Sequence, residues 1–276
     1  MNQLRLLDDR IFLAVNKAEG MQPEAAANEF HELALGDPAR DGAAERFGAR
    51  CVGVTLSENQ ARLARERAEQ AGLQHLVEIR LQDYRDVGGQ FDRITSVGMF
   101  EHVGIAHLEG YFSRIDALLA PGGVVMNHGI TTTDVKSRGT PYGGGEFIDR
   151  YVFPQGELAH LGTVIRSMQE GGLEVRDVEN LRRHYARTCA MWTDNFEANA
   201  DKVRQLTDPK RFRIWHVYLA GCTYAFNNDW ISLYQIVCGK AGQEPAAIPW
   251  SCTRLNTSPG FNPSSMPPTT LTVTSG

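Results

Sequence analysis

Short apolar runs alternate with longer amphipathic segments through the middle of the chain. The runs ARCVGVTL, LVEIRL, FDRITSVG and VVMNHGI have the length and apolar character of strands buried on both faces. Between them, ENQARLARERAEQAGL places Ala61, Ala64 and Ala68 on one stripe of a helix, with Gly72 as its stop. Strands that alternate with helices at this spacing predict an α/β fold built on a parallel, doubly wound sheet.

The same alternation continues toward the carboxyl end. A helix is predicted in HLEGYFSRIDALL, and a turn at Pro121-Gly122-Gly123 leads into the VVMNHGI strand. A helix in ELAHLGTVIRSMQ ends at Gly171-Gly172 and is followed by the strand LEVRDVENL. Two amphipathic helices around residues 186–206 and 209–226 precede the last strand, ISLYQIVCG. No internal repeat is present in the sequence.

Three zones of the chain differ in composition. Residues 1–44 are polar and helix-prone, without tyrosine, tryptophan or cysteine, and form an atypical N-terminal segment. Residues 45–245 carry the alternating pattern and are predicted to be the folded core. Residues 246–276 are rich in Ser, Thr and Pro, a composition that predicts a disordered tail.

Bulk composition narrows the class of protein. The 276 residues are 42% hydrophobic and 22% charged, which is ordinary for a globular domain. A net charge of −5 does not indicate bulk attraction to nucleic acid or to anionic lipid, but it is compatible with local basic patches. No apolar run reaches the roughly 18 residues of a membrane span, and the N-terminus does not resemble a secretory signal. The five cysteines are scattered, without metal-ligand spacing, so a reducing cytoplasm is expected.

Ligands of doubly wound sheets bind beyond the carboxyl ends of the strands, and this rule selects the candidate residues. The first two predicted strand ends carry Thr55, Leu56, Ser57 and Gln60, and then Gln82 and Asp83. Ser57 and Gln60 also have capping-box spacing, so helix capping alone is an equally good interpretation. An isolated aspartate such as Asp83 is more often a turn residue than a ligand.

The next two strand ends place ionisable groups where burial is costly. Glu101 and His102 follow the apolar run ITSVGMF, and Glu101 can alternatively interact with a helix dipole in the first turn of a helix. His128 interrupts VVMNHGI and is either functional or a hydrogen-bonded core histidine. Tyr185 taken alone is a packing aromatic, and Cys222 in WHVYLAGCTYAF is most simply a buried thiol.

Taken together, these segments resemble the cyclopropane-fatty-acyl-phospholipid synthases and mycolic acid cyclopropane synthases. The matching stretches, in family order over residues 45–240, include GVTLSENQ, FDRITSVGMFEHVG, YFSRIDALLAPGGVVMNHGI, FIDRYVFPQGEL and HYARTCAMW. The resemblance implies a Rossmann-like class I methyltransferase sheet with helices on both faces, ending in an antiparallel strand. It also implies S-adenosylmethionine as methyl donor and the cis double bond of an unsaturated phospholipid acyl chain as acceptor.

The resemblance also implies roles for individual residues. Glu101, His128, the backbone of Ile130 and Tyr185 match the ligands of a bicarbonate that acts as base. Cys222 matches a family active-site cysteine, although methyl transfer to an alkene needs no covalent nucleophile. Residues 55–60 match the segment around the ribose and adenine of the cofactor, while Gln82 and Asp83 match its adenine side. An aromatic ring, with Trp192 as one candidate, would stabilise the carbocation formed by methyl transfer.

The sequence departs from the family ahead of residue 45. The family carries a strand and a glycine-rich turn of the GCGWG kind, where this chain has HELALGDPARDG with only Gly36 and Gly42. A Tyr-Ser-Cys motif farther upstream is absent, because no tyrosine or cysteine precedes Cys51. We therefore expect the first βα unit to be atypical or lost, as in a truncated or frameshifted reading frame. The hypothesis that follows is a degraded synthase with little or no affinity for S-adenosylmethionine, in which loss of the glycine-rich loop can abolish activity.

Three functions stay open on the sequence. The first is cyclopropane formation on phospholipid acyl chains, in the cytoplasm or at the inner membrane face. The second is C-methylation of another lipid, which leaves a methyl branch or methylene group. The third is a non-catalytic relative that regulates an intact synthase. A homodimer is compatible with each of them, and the sequence indicates no metal site.

Overall fold

A computed structural model describes the backbone of residues 10–15 together with residues 44, 48–137, 144–154 and 156–243. Seven strands within these residues form one sheet in the order β3-β2-β1-β4-β5-β7-β6. The strands are β1 (Arg10–Val15), β2 (Arg50–Thr55), β3 (Val77–Leu81), β4 (Phe91–Val97), β5 (Leu119–Thr132), β6 (Leu173–Asn180) and β7 (Ile231–Lys240).

Eight described α-helices connect the strands. They are α1 (Glu58–Gln70), α2 (Phe100–Val103), α3 (Leu108–Leu118), α4 (Gly144–Tyr151), α5 (Leu161–Glu170), α6 (Arg182–Ala198), α7 (Ala200–Leu206) and α8 (Pro209–Asn227). Short 3-10 turns lie at Tyr84–Asp86 and Ile105–His107. The predicted alternation of strands and helices is confirmed. Helices α2 and α4 were not predicted from the sequence.

Strand directions refine the predicted parallel sheet. Strands β1 to β5 pair in parallel, whereas β7 pairs antiparallel with both β5 and β6. The antiparallel final strand agrees with the implication of the family resemblance rather than with the alternation pattern. The predicted turn at Pro121-Gly122-Gly123 lies within β5 as an irregularity, because the partner of β5 shifts from Phe91 to Arg93 while β5 advances from Leu119 to Val124.

The expected loss of the first strand is wrong. Arg10–Val15 forms β1, which pairs in parallel with β2 on one side and β4 on the other. The apolar run IFLAV is only five residues long, and the sequence does not identify it as a strand because the glycine-rich turn that normally follows such a strand is missing. The replacement segment with Gly36 and Gly42, and the predicted tail at residues 246–276, lie outside the described residues.

Two hydrophobic layers cover the sheet. One layer joins β4 and β5 to α3 and α5 through Ile94, Val125, Phe112, Val164 and Met168. The other joins β5 and β7 to α6 and α8, and its members are Ile130, Leu233, Ala186, Cys189, Leu219 and Phe226 among others. Helices therefore lie on both faces, and the carboxyl ends of β2 to β5 meet along one edge of the sheet.

Candidate active site

The β4 and β5 strands differ in length, and the difference positions a carboxylate. The last hydrogen bond between them is donated by the Gly98 N–H to the His128 carbonyl at 2.9 Å. The next N–H of β5 on that side belongs to Ile130, beyond the end of β4. It donates instead to Glu101 Oε1 at 2.6 Å. Glu101 lies in the single-turn helix α2 that follows β4.

Burial controls the protonation of Glu101. The side chain is 6% exposed, and its Oε2 atom has no hydrogen-bond partner within the described part of the chain. Desolvation raises the pKa of this carboxyl to about 7, although the Ile130 N–H favours the ionised form. Glu101 is therefore able to hold or release a proton near neutral pH.

Tyr185 of helix α6 lies near this carboxyl, and Tyr218 and Cys222 of helix α8 lie next to Tyr185. Burial raises the pKa of both tyrosines well above the ordinary range, and Glu101 contributes electrostatically to the shift at Tyr185. The side chains of Tyr218 and Cys222 share a hydrogen bond, and burial raises the pKa of the thiol to about 12. All three pack against the apolar layer that contains Ile130. Of the five predicted catalytic positions, Ile130 and Tyr185 therefore lie at Glu101, and Cys222 is linked to it through Tyr185.

His128 lies two residues before Ile130 on β5. Successive side chains of a strand point to opposite faces, so His128 and Ile130 share a face and Gly129 faces the other way. Burial lowers the pKa of His128 to about 4, which leaves the imidazole neutral at pH 7. It can therefore donate one N–H without bringing a full positive charge.

Gly129 fixes the position of helix α2. A Cβ built on Gly129 would lie 1.9 Å from Cε1 of the Phe100 ring, so the ring occupies the space that any side chain would need. Phe100 is 2% exposed and directly precedes Glu101. The absence of a side chain at residue 129 therefore lets α2 lie close to β5.

A cavity of about 800 Å³ adjoins this site at the ends of β2, β3 and β4. Its lining includes the predicted Leu56 and Asp83, together with Tyr84, Met99, His102 and Phe153. Leu56 is 51% exposed although it is apolar, as expected for a side chain that covers a flat ligand. The lining combines these apolar and aromatic side chains with polar ones such as Arg85 and Glu109, and this mixture at the strand ends fits a nucleoside cofactor.

The other predicted cofactor residues act mainly within the fold. Thr55 Oγ1 donates to Gln60 Oε1 at 2.6 Å and accepts the Ser57 N–H at 3.1 Å. Ser57 Oγ accepts the Gln60 N–H at 3.4 Å and caps α1. The predicted capping box is therefore only half formed, because the Gln60 side chain contacts Thr55 rather than the Ser57 N–H.

Gln82 and Asp83 also make local contacts. Gln82 Nε2 donates to the Asp86 carbonyl at 2.9 Å. Asp83 accepts from both the backbone and the guanidinium of Arg85, and this pair lowers the pKa of the carboxyl. Asp83 thus combines the turn role with a place in the cavity lining.

Three aromatic residues of the site were missed from the sequence. Tyr84 lines the cavity and packs edge to face on Tyr111 at 5.2 Å between ring centroids. The Phe153 ring contacts His102 at 5.4 Å and Tyr218 at 6.0 Å, and so joins the cavity to the apolar layer around Cys222. Each aromatic on its own is typical of a core, and only the tertiary arrangement aligns them.

Trp192 lies behind Tyr185. Its buried ring packs edge to face on Tyr185 at 5.7 Å between centroids, so it supports the tyrosine from within the α6–α8 layer. Within the described residues no cluster of His, Cys, Asp and Glu is arranged to hold a metal ion. The described helices also include none that is long and apolar enough to cross a bilayer.

The strand order and the cavity at the carboxyl edge of the sheet define a class I methyltransferase fold. The mycolic acid cyclopropane synthetase family model matches residues 38–236, and the chain belongs to this family. A probable fatty acid methyltransferase of Pseudomonas putida is 49% identical over 200 residues, and the match covers 72% of this chain and 51% of that protein. The cyclopropane-fatty-acyl-phospholipid synthase of Escherichia coli is 36% identical over 194 residues, or 70% of this chain and 48% of the relative.

Solved structures show the same fold. The mycolic acid cyclopropane synthase CmaA1, solved as a complex with SAH and CTAB, aligns with a TM-score of 0.68 and 27% identity. The alignment covers 83% of this chain and 78% of that one. The cyclopropane synthase MmaA2 from Mycobacterium tuberculosis aligns with the same TM-score at 23% identity, over 83% and 78% of the two chains. The chain spans about half the length of the curated relatives named above.

Proposed function

We propose that the chain transfers a methyl group from S-adenosylmethionine to the cis double bond of an unsaturated phospholipid acyl chain and forms a cyclopropane ring. The carrying observation is the buried Glu101 carboxyl, bonded to the Ile130 N–H and facing Tyr185 beside an apolar layer. The membership in the cyclopropane synthetase family and the relatives that act on lipids support the same reaction. The reaction would take place at the cytoplasmic face of a membrane.

The residues suit a reaction that develops positive charge on carbon. S-adenosylmethionine supplies an electrophilic methyl group when it is bound. The cavity lined by Leu56 and Tyr84 would hold its adenine, and Phe153 connects that cavity to the apolar layer around Cys222. The faces of Phe153 and Tyr218 would stabilise the carbocation, at roughly 0.5–2 kcal/mol for each ring.

The site also offers neutral donors for a small anion. Glu101 with its raised pKa, neutral His128 and un-ionised Tyr185 can each donate one hydrogen bond. The buried Oε2 of Glu101 has no hydrogen-bond partner within the described residues, and a bound anion would supply one. These residues fit the bicarbonate of the family, with one difference: the Ile130 N–H already donates to Glu101 and would have to be shared.

Binding of the cofactor is tested separately from the reaction. The segment that replaces the family's glycine-rich turn predicts weak binding, because that turn normally brings backbone N–H groups against the cofactor. Isothermal titration of the full chain with S-adenosylmethionine is expected to show no saturable binding in the micromolar range. Micromolar affinity would contradict this expectation and would leave the catalytic proposal intact.

A second candidate is C-methylation of a lipid that leaves a methyl branch or methylene group. It is favoured by the 49% identity to a protein named as a probable fatty acid methyltransferase. Both reactions pass through the same carbocation, and Glu101 with its neighbours serves proton loss to either a cyclopropane or a methylene group. A saturated methyl branch would also need a hydride donor such as a nicotinamide cofactor, and it is two hydrogens heavier. Mass spectrometry of the lipid product, combined with ozonolysis, separates them: the cyclopropane has lost the double bond, and a methylene product retains one.

A further inference from the structure

One face of helix α8 changes from cationic to apolar along its length. Arg211, Trp215, Tyr218 and Cys222 recur at the helical spacing of three and four residues, and all four are half-buried. Tyr218 and Cys222 belong to the candidate active site, whereas Arg211 and the adjoining, exposed Lys210 lie in the first turn. The stripe therefore runs from the reacting centre to the surface, over about 18 Å from Lys210 to Cys222.

Two contacts between α8 and the chain around α4 mark the two ends of this stripe. At the inner end the Phe153 ring meets Tyr218 at 6.0 Å between centroids. At the outer end Lys210 Nζ lies 5.6 Å from the centroid of the Tyr151 ring, two residues before Phe153. Lys210 and Tyr218 are separated by about 12 Å along α8 at 1.5 Å per residue. Trp215 packs edge to face on Tyr218 between them.

The outer end holds two cations on one ring. The Arg150 guanidinium lies 5.4 Å from the centroid of the Tyr151 ring that Lys210 also contacts, and the ring is 40% exposed. Arg211 is paired with Asp208 at 3.5 Å, whereas neither Arg150 nor Lys210 forms an ion pair within the described residues. Two like charges gathered at one aromatic ring form a place where an anion binds favourably.

We propose that Arg150, Tyr151 and Lys210 bind the phosphodiester of a phospholipid whose acyl chain lies along Trp215 and Tyr218 toward Glu101. An amphiphile with an anionic head and an apolar tail matches the change of polarity along the stripe. The position of the acyl chain rests on the proposed function, and the head-group site is new. The two cations come from different elements: the planar guanidinium of Arg150 from α4, and the compact ammonium of Lys210 from α8. A guanidinium can bind two oxygens of a phosphate at once, whereas an ammonium acts as a point charge.

The test measures binding of the full chain to dodecyl maltoside micelles that contain dioleoylphosphatidylglycerol or dioleoylglycerol. These lipids share their acyl chains and differ in the phosphodiester head group. Tryptophan fluorescence titration is expected to show about tenfold tighter binding to the phosphatidylglycerol micelles. R150Q/K210Q is expected to bind both within twofold, and R150K/K210R to keep most of the preference. Inorganic phosphate alone is expected to bind without saturation at millimolar concentration.

The control is R67Q/R166Q, which removes the same charge from α1 and α5 and is expected to keep the preference. Equal binding of the two micelles by the unmodified chain would overturn the proposal, as would an equal loss in the control. Saturable binding of inorganic phosphate that R150Q/K210Q abolishes, without any lipid preference, would assign the site to free phosphate instead. Because the readout is binding, a failure of methyl transfer would leave this result unchanged.

Discussion

Glu101 Oε1 accepts the backbone N–H of Ile130 at 2.6 Å, which joins the helix after β4 to the free end of β5. The contact satisfies a backbone donor that the sheet leaves unpaired, and it places a carboxyl of pKa about 7 at the edge where ligands bind. The Glu101 side chain therefore contributes both to the stability of the sheet edge and to the chemistry of the site. A test of Glu101 must therefore remove its exchangeable proton and keep its hydrogen bond to the Ile130 N–H.

The variant Glu101→Gln makes this separation. The amide oxygen still accepts the Ile130 N–H, but the side chain no longer holds an exchangeable carboxyl proton. We expect methyl transfer to fall by about 100-fold, the usual range for loss of a proton-transferring group, while the thermal unfolding temperature at pH 7 stays close to that of the unmodified chain. Product formation is measured by lipid mass spectrometry, with Glu170→Gln at the exposed end of α5 as the control. Unchanged turnover in E101Q would show that the proton is not used.

The pKa shifts of Glu101 and His128 predict opposite dependences of stability on pH. Glu101 has a raised pKa, so its protonated form stabilises the fold at low pH, and this contribution is lost as pH rises from about 4.5 to about 7. His128 has a lowered pKa, so its contribution is lost as pH falls from about 6.5 to about 4. In the unmodified chain the two contributions largely cancel between pH 4.5 and 6.5.

Single variants should expose each dependence. Denaturant unfolding of E101Q is expected to show stability that rises by about 3 kcal/mol from pH 4 to pH 6.5, and H128Q stability that falls by a similar amount from pH 4.5 to pH 7. Two curves with the same slope would show that at least one of these groups is not buried as described.

Gly129→Ala tests the close approach of Phe100 to β5. The added methyl group would overlap the ring, and we expect a loss of about 1–3 kcal/mol in the free energy of unfolding together with displacement of Glu101. The matched control is Gly221→Ala in α8, where a Cβ meets open space. That change should stabilise the protein by about 0.5–1 kcal/mol through helix propensity. Equal effects of the two substitutions in thermal unfolding would contradict the described packing.

Cys222→Ala tests whether the thiol takes part covalently. Burial holds its pKa at about 12, so the thiol is protonated at neutral pH and is a poor nucleophile. We expect C222A to keep turnover within about fivefold, and Y185F, which removes a donor facing Glu101, to lose about tenfold or more. The measurement is the initial rate of methyl transfer by each of the two variants. An inactive C222A that unfolds at the normal temperature would support a covalent role.

The alternation of strands and helices and the residues at the strand ends could be predicted from sequence, because buried strands and amphipathic helices leave periodic patterns. The meeting of Glu101, Ile130, Tyr185 and Cys222 came from the family resemblance, since residues so far apart in sequence carry no mark of contact. Phe153 and Tyr218 could not be distinguished from core aromatics. Strand β1 was missed because a short apolar run without its following glycine turn has no unique interpretation.

The most direct test incubates the purified chain with dioleoylphosphatidylglycerol and millimolar S-adenosylmethionine, and analyses the lipid by mass spectrometry and ozonolysis. Methyl transfer to the alkene predicts acyl chains that gain one CH₂ and resist ozonolysis at the former double bond, with little product in the E101Q variant. Acyl chains that remain unmodified, or a product formed equally well by E101Q, would contradict the account.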